Sequence, residues 1–378
     1  MSAHSVQNRA TRRFDVVLIQ SALGDYRAEF LAELRRRLGD DLRIAAGAEH
    51  FDASVLVMEP IAPILPLRNQ YLLRRRALWQ RGALAPGVGA GVAILEFNPR
   101  ILSVWATLVI RSALRRRTIL WGHAFPRHGP SGSGMLLRRV MRALAEALVV
   151  YTRGEAVALR SRGTRRLVVA AHNAIYSARE MTPASSASPH GFIYVGRLVK
   201  AKKPAILIDA LARVRDELGE DARLAIVGDG PLRLSLEAAA AEAGLSDIVH
   251  FHGHVSDRER LRDLYGDALA SISPGYVGLS ITQSLGFGLP MIVSRDEPHA
   301  PEIEAALEGE TAVFFQTDNP VGLAESLVRL SRERNEWLTR RTAISAAAAH
   351  EYSAERMAAC FIDLVRQGDG LERETART

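Results

Sequence analysis

Residues 271–290, SISPGYVGLSITQSLGFGLP, run a glycine-bearing loop into a short helical pattern that Gly288 and Pro290 close. Gly275 and Gly278 let the backbone approach a ligand. The first amides of the helix that follows, at Leu279 and Ser280, are donors with no intrahelical acceptor at the positive end of the peptide dipoles. Such a turn favours an anion. The same punctuation also serves ordinary strand-to-helix turns, so the neighbouring segments decide its meaning.

One neighbour is Gly196-Arg197-Leu198-Val199-Lys200-Ala201-Lys202-Lys203-Pro204, which follows the apolar run 192–195 and holds all three lysines of the chain. A guanidinium forks onto phosphate oxygens and an ammonium acts as a point charge. Both stabilise the negative charge that grows on a departing diphosphate. Arg197 and Lys202 are the predicted clamp. A second turn, Gly228-Asp229-Gly230-Pro231, ends another apolar run and offers flat backbone beneath a nucleobase. The glycines of 87–91 precede a strand pattern instead of following one, which is the wrong context for a dinucleotide fingerprint. In the first half, Trp121-Gly122-His123-Ala124-Phe125-Pro126-Arg127-His128 places His123 where it can orient a sugar hydroxyl or an incoming alcohol and share its proton, with Arg127 beside it. No histidine pair has metal-ligand spacing backed by carboxylates, so no dedicated metal site is expected. No serine elbow of the hydrolase type occurs.

These residues need strand ends to hold them. Apolar runs at 13–20, 42–46, 91–97, 117–121, 148–151 and 167–170 alternate with helix-length segments, which predicts a parallel sheet with crossover helices. Residues 181–190, MTPASSASPH, read as a linker. A second alternation follows, with strands predicted at 192–195, 223–227, 248–252, 270–273, 291–294 and 312–315. The expected organisation is a first domain over 1–180, a linker over 181–190, a second domain over 191–350 and a closing helix and tail over 351–378.

The chain has 378 residues and 48% hydrophobic composition, enough for two domains with their own cores. Its single cysteine, Cys360, permits no intrachain disulfide, and no stretch approaches twenty uninterrupted apolar residues. A cytoplasmic protein is expected. The net charge of +7 is uneven: residues 1–180 hold 28 arginines, no lysine and 13 acidic residues. Arginines cluster beside apolar residues at 71–79, 111–117 and 135–142, a combination suited to an anionic lipid surface on the inner face of a membrane. Interleaved aromatic stacking platforms are lacking and the other half is acidic, which argues against nucleic acid.

Taken in order and spacing, the segments Gly196-Arg197-Leu198 to Lys202, Val227 to Pro231, Val249-His250-Phe251-His252-Gly253, and Ser273-Pro274-Gly275 to Pro290 resemble glycosyltransferase family 4. The resemblance implies a GT-B fold, α/β, with two Rossmann-like doubly wound parallel-sheet domains facing across a cleft. The second would hold a nucleotide-diphosphate sugar and the first would shape the acceptor pocket. Residues 21–26, with Gly24 and Tyr26, stand where the family has its first loop. The family's pair of glutamates, seven residues apart, falls on Gly275 and Gln283. The loss at Gly275 leaves sugar placement to the backbone amides of 277–279 or to a bound sugar's own contacts, whereas Gln283 keeps an acceptor oxygen for the ribose.

The resemblance thus implies a retaining, metal-independent hexosyltransferase without cofactor, the nucleotide sugar being its substrate. Its acceptor would be an alcohol or saccharide, on the arginine-apolar segments a lipid-linked one. Two alternatives stand beside it at the level of sequence. One is a nucleotide-sugar epimerase of the same fold, and the other a degenerate member that binds a nucleotide sugar without turnover. A phosphorylase would need a lysine-bound cofactor, and the only lysines lie within 200–203.

Overall fold

The computed structural model describes residues 15–49, 51, 64–125, 133–186, 188–219 and 222–375. The chain divides into two compact units: residues 1–171 with 358–378, and residues 172–357.

The first unit holds strands β1 (Val16–Gln20), β2 (Leu42–Gly47), β3 (Ile64–Leu72), β4 (Ala77–Arg81), β5 (Val92–Glu96), β6 (Arg117–Trp121), β7 (Ala147–Val150) and β8 (Leu167–Ala170). They form one sheet in the order β4-β3-β2-β1-β5-β6-β7-β8, parallel except for the antiparallel β3–β4 pair. β1, β5 and β7 are almost wholly apolar and buried, as strands covered by helices on both faces must be. The helix Ala354–Thr375 sends its residues from Ala358 onward into this unit, where the Phe361 ring lies 5.2 Å from Phe30 and 5.0 Å from Trp121.

The second unit holds β9 (Gly191–Val195), β10 (Leu224–Val227), β11 (Val249–Gly253), β12 (Ala268–Ser273), β13 (Met291–Ser294) and β14 (Ala312–Phe315). All pairs are parallel and the order is β11-β10-β9-β12-β13-β14. From β9 the chain winds outward through β10 and β11, and from β12 through β13 and β14. The carboxyl ends of β9 and β12 therefore meet where the winding reverses, the place where open α/β sheets bind ligands.

Two features depart from the sequence-based expectation. Residues 181–190, expected as a linker, belong to the second unit together with 172–180. Met181 and Ala184 are buried there, and the Ala184 amide donates to the Phe287 carbonyl at 2.8 Å, so small side chains let the segment lie flat on the core. The β3–β4 hairpin was not expected, because Pro66, Arg68, Asn69 and Gln70 interrupt any apolar alternation.

Candidate functional site

In the second unit, Gly196 and Arg197 leave β9, and the chain tightens into a 3-10 turn at Lys200–Lys202. Residues 274–279 leave β12 and enter the helix Ser280–Gly286. The two segments touch along their backbones: the Tyr276 amide donates to the Ala201 carbonyl at 3.1 Å. A Cβ on Gly275 would lie 2.6 Å from the Ala201 oxygen and 2.7 Å from the Lys202 carbonyl carbon. Glycine at 275 is thus demanded by the packing of the two loops, and the position has no room for a carboxylate.

Lys202 is drawn into this junction. Its ammonium donates to the Tyr276 carbonyl at 2.6 Å and lies 4.6 Å from the Tyr276 ring centroid. Burial, reinforced by the nearby Arg197 guanidinium and opposed by Glu302, pushes it down from the ordinary 10.5 to about 8. Arg197 itself is exposed, and its guanidinium has no hydrogen-bond or ion-pair partner among the described residues. Lys203 turns the other way and is spent on Glu297 and Asp318, each at 2.6 Å.

The amides of Gly278, Leu279 and Ser280 find no acceptor among the described residues. The Val277 amide, which the sequence reading counted in this set, is not part of it: it donates to Nδ1 of His299 at 3.0 Å. The His299 ring is pinned at its other end, where Nε2 lies 2.9 Å from the Ser294 carbonyl. Nδ1 must stay unprotonated to accept, and burial accordingly holds the imidazole below its ordinary range. Two like charges and three free amides thus lie on the touching segments that leave β9 and β12, with no carboxylate hydrogen-bonded to them among the described residues. That is an arrangement for an anion with several oxygens.

The remaining second-unit candidates differ in how they are held. Gly228, at φ 134°, crosses the chain so closely that a Cβ would lie 1.9 Å from the Gly196 oxygen. Gly230 and exposed Pro231 complete that turn against Leu198, whose carbonyl accepts from the Leu232 amide at 3.1 Å. Gln283 sits between two tyrosines: its Oε1 accepts from the Tyr265 hydroxyl at 3.2 Å and its Nε2 donates to Tyr176 at 2.7 Å. A ribose would have to use the remaining lone pair or hydrogen of that amide.

Two residues beyond the sequence reading shape the site. His299 anchors the loop, and Glu302, only 6% exposed, accepts from Asn173 Nδ2 at 2.8 Å while lying close enough to Lys202 to favour its charged form. Their only sequence signal was a polar cluster, DEPHAPE, after the apolar run 291–294.

In the first unit, His123 follows β6 and is half exposed. Its Nδ1 lies 3.6 Å from Glu155, whose carboxylate accepts from the amides of Ala124 at 2.8 Å and Tyr151 at 3.1 Å. At the β1 end, the Ser21 amide donates to Glu96 at 2.8 Å, and Gly24 is buried beside half-buried Tyr26. Arg127 lies outside the described residues.

Residues 183–350 match the model of the family described as glycosyl transferases group 1. That match spans nearly all of the second unit. A GDP-mannose-dependent alpha-(1-6)-phosphatidylinositol dimannoside mannosyltransferase of Mycobacterium tuberculosis is 42% identical over 106 residues, 27% of this chain and 26% of that relative. The lipopolysaccharide core biosynthesis glycosyltransferase LpsD of Rhizobium meliloti is 32% identical over 192 residues, 49% of this chain and 53% of its own length. The matched segment thus spans about a quarter of the first of these curated relatives and half of the second. Among solved structures, Anabaena Alr3699/HepE in complex with UDP superposes with a TM-score of 0.68 at 15% identity, covering 93% of this chain and 99% of that one. Such a likeness speaks for the fold, and the fold is GT-B, with two Rossmann-like units around parallel sheets.

Proposed function

We propose that the protein transfers a hexosyl group from a nucleotide-diphosphate sugar to a hydroxyl of a lipid-linked acceptor. The observation that carries this reading is the contact between the segment that bears Arg197 and Lys202 and the loop that bears the free amides of Gly278, Leu279 and Ser280, at the β9/β12 reversal. As the bond from the anomeric carbon to the diphosphate oxygen breaks, charge collects on the terminal phosphate, and donors already aimed at that position stabilise it without reorganising. A guanidinium and an ammonium supply the positive charge that a divalent cation would otherwise bring, so the reaction needs no metal. Retention at the anomeric carbon is the outcome that the family resemblance implies.

In this reading the Gly228 to Pro231 turn borders the base, Gln283 borders the ribose and Gly275 keeps the loop close to the clamp. In the first unit, His123, held by Glu155, orients a hydroxyl, and Gly24, Tyr26 and Arg127 belong to the acceptor side. The transferase names of the relatives favour transfer over epimerisation, and the phosphatidylinositol and lipopolysaccharide in two of those names favour a lipid-linked acceptor.

The test is a melting-temperature screen with UDP-, GDP- and dTDP-sugars, followed by transfer assays with the stabilising donor. Arg197→Ala is expected to abolish transfer while leaving the melting temperature of the free protein unchanged. Retained turnover would remove the clamp. Isomerised sugar without acceptor would convert the reading to epimerisation.

A further inference from the structure

The hairpin that interrupts the parallel order of the first sheet carries an unusual tip. β3 runs parallel to β2, so the turn after it stands at the carboxyl-terminal edge of the sheet, the edge from which Ser21, Glu96 and His123 also emerge. Leu72, Leu73, Arg74, Arg75 and Arg76 are all exposed there, Leu73 to 76%. Leu73, Arg74 and Arg75 have φ of 51°, 55° and 63°, three successive residues with Cβ atoms in the left-handed region. Neighbours hold this conformation. Arg100 donates to the carbonyls of Arg75 and Arg76, and Arg75 stacks on Tyr71 at 3.9 Å and pairs with Glu49 at 3.6 Å. Arg74 and Arg76 have no acidic partner among the described residues.

The same edge continues the pattern. Exposed Leu102 opens the helix Leu102–Ala113 directly after Arg100 and Ile101. The helix Ser133–Leu144 is tied to this edge by Arg138, which donates to the carbonyls of Phe97 at 3.0 Å and His123 at 2.8 Å. Its Leu136, Leu137 and Val140 are exposed beside exposed Arg139. An apolar protein partner would leave these guanidiniums desolvated, and a nucleic acid would gain nothing from Leu73. Phosphate headgroups above acyl chains satisfy both kinds of side chain at once.

We infer that this edge docks on an anionic lipid bilayer, Leu72 and Leu73 passing between the headgroups while Arg74 and Arg76 pair with their phosphates. The inference rests on the reading above only in taking the acceptor to be lipid-linked. Docked this way, the edge brings His123 to the level at which a lipid-borne hydroxyl emerges from the membrane.

The full-length protein is to be co-sedimented with vesicles of phosphatidylcholine alone and of phosphatidylcholine mixed equally with phosphatidylglycerol. Partition is expected onto the anionic vesicles only, falling as salt is raised. The double variant Leu72→Ser, Leu73→Ser should weaken it by about tenfold or more. Arg74→Gln and Arg76→Gln should weaken it by about fivefold each. None should alter the melting temperature or its rise with nucleotide sugar. Leu73→Trp should shift its emission to the blue on anionic vesicles. Absence of partition onto anionic vesicles, or equal partition of the double leucine variant, would overturn the inference. So would release of the protein by single-stranded RNA with no dependence on the two leucines. Partition that depends on the leucines in a protein that binds no nucleotide sugar would leave this inference standing while sinking the proposed reaction.

Discussion

The ammonium of Lys202 and the carbonyl of Tyr276 stand 2.6 Å apart, joining the turn after β9 to the loop after β12. Burial at that junction, with the Arg197 guanidinium nearby, withdraws the ammonium from water, and its proton is held loosely. The charge of the clamp therefore depends on pH within an accessible range.

Lys202 carries its charge below about pH 8 and loses it above. The ratio kcat/KM for the donor is accordingly expected to fall on the alkaline side with an apparent pKa near 8, well short of the ordinary 10.5 of a lysine. Lys202→Arg keeps the charge and should remove that limb, at the cost of a poorer fit. A limb unmoved by Lys202→Arg would assign the titration to another group.

Gly275→Ala tests the contact between the two loops. Its new Cβ meets the backbone of Ala201 and Lys202 at 2.6 Å and 2.7 Å, and neither atom is the end of a flexible side chain. A loss of about 1–3 kcal/mol is expected from overpacking, read as a lower melting temperature. The rise in melting temperature produced by nucleotide sugar should shrink as well, since the amides of Gly278 to Ser280 move with the loop. An unchanged melting temperature would show that the loops do not press on one another.

His299→Ala removes the acceptor of the Val277 amide. An unsatisfied buried donor costs about 1–3 kcal/mol, and donor KM should rise more than kcat falls, because the residue holds the loop and touches no reacting atom. The pH dependence gives a second readout. The folded imidazole titrates below the 6.5 of a free one. Its contribution to stability is present above pH 6.5 and is lost as the pH falls from there through the lowered folded value. That acid slope in melting temperature should disappear in the variant.

The strands buried on both faces were legible because each is a short apolar run closed by turn residues, as in RTILW of β6 or MIVS of β13. Their alternation with helices gave the doubly wound sheets, and the lysine cluster and glycine turns fell at strand ends for the same reason. The hairpin was not legible: Ile64–Leu72 lies between β2 and the edge strand β4 and carries polar residues on both faces, so neither period marks it. His299 and Glu302 escaped for a different cause. Both lie after β13, and their importance arises only when that segment returns to pack against residues 277 and 202. No local pattern encodes such a long-range return. The serine-rich segment 181–190 misled because small residues suit a flexible connection and a close-lying one equally well.

The helix that starts at Ala354 also sets an order of events during synthesis. Phe361 packs against both Phe30 and Trp121, which also touch each other, and Arg117 grips the carbonyls of Leu364 and Val365 at 2.8 Å. The unit formed by residues 1–171 therefore waits for residues translated after the whole of the second unit, which by then has every strand it needs. Until Phe361 leaves the ribosome, the Phe30 and Trp121 rings of the earlier half lack one of their neighbours, and a nascent chain stopped short of it would present those apolar faces to chaperones or proteases.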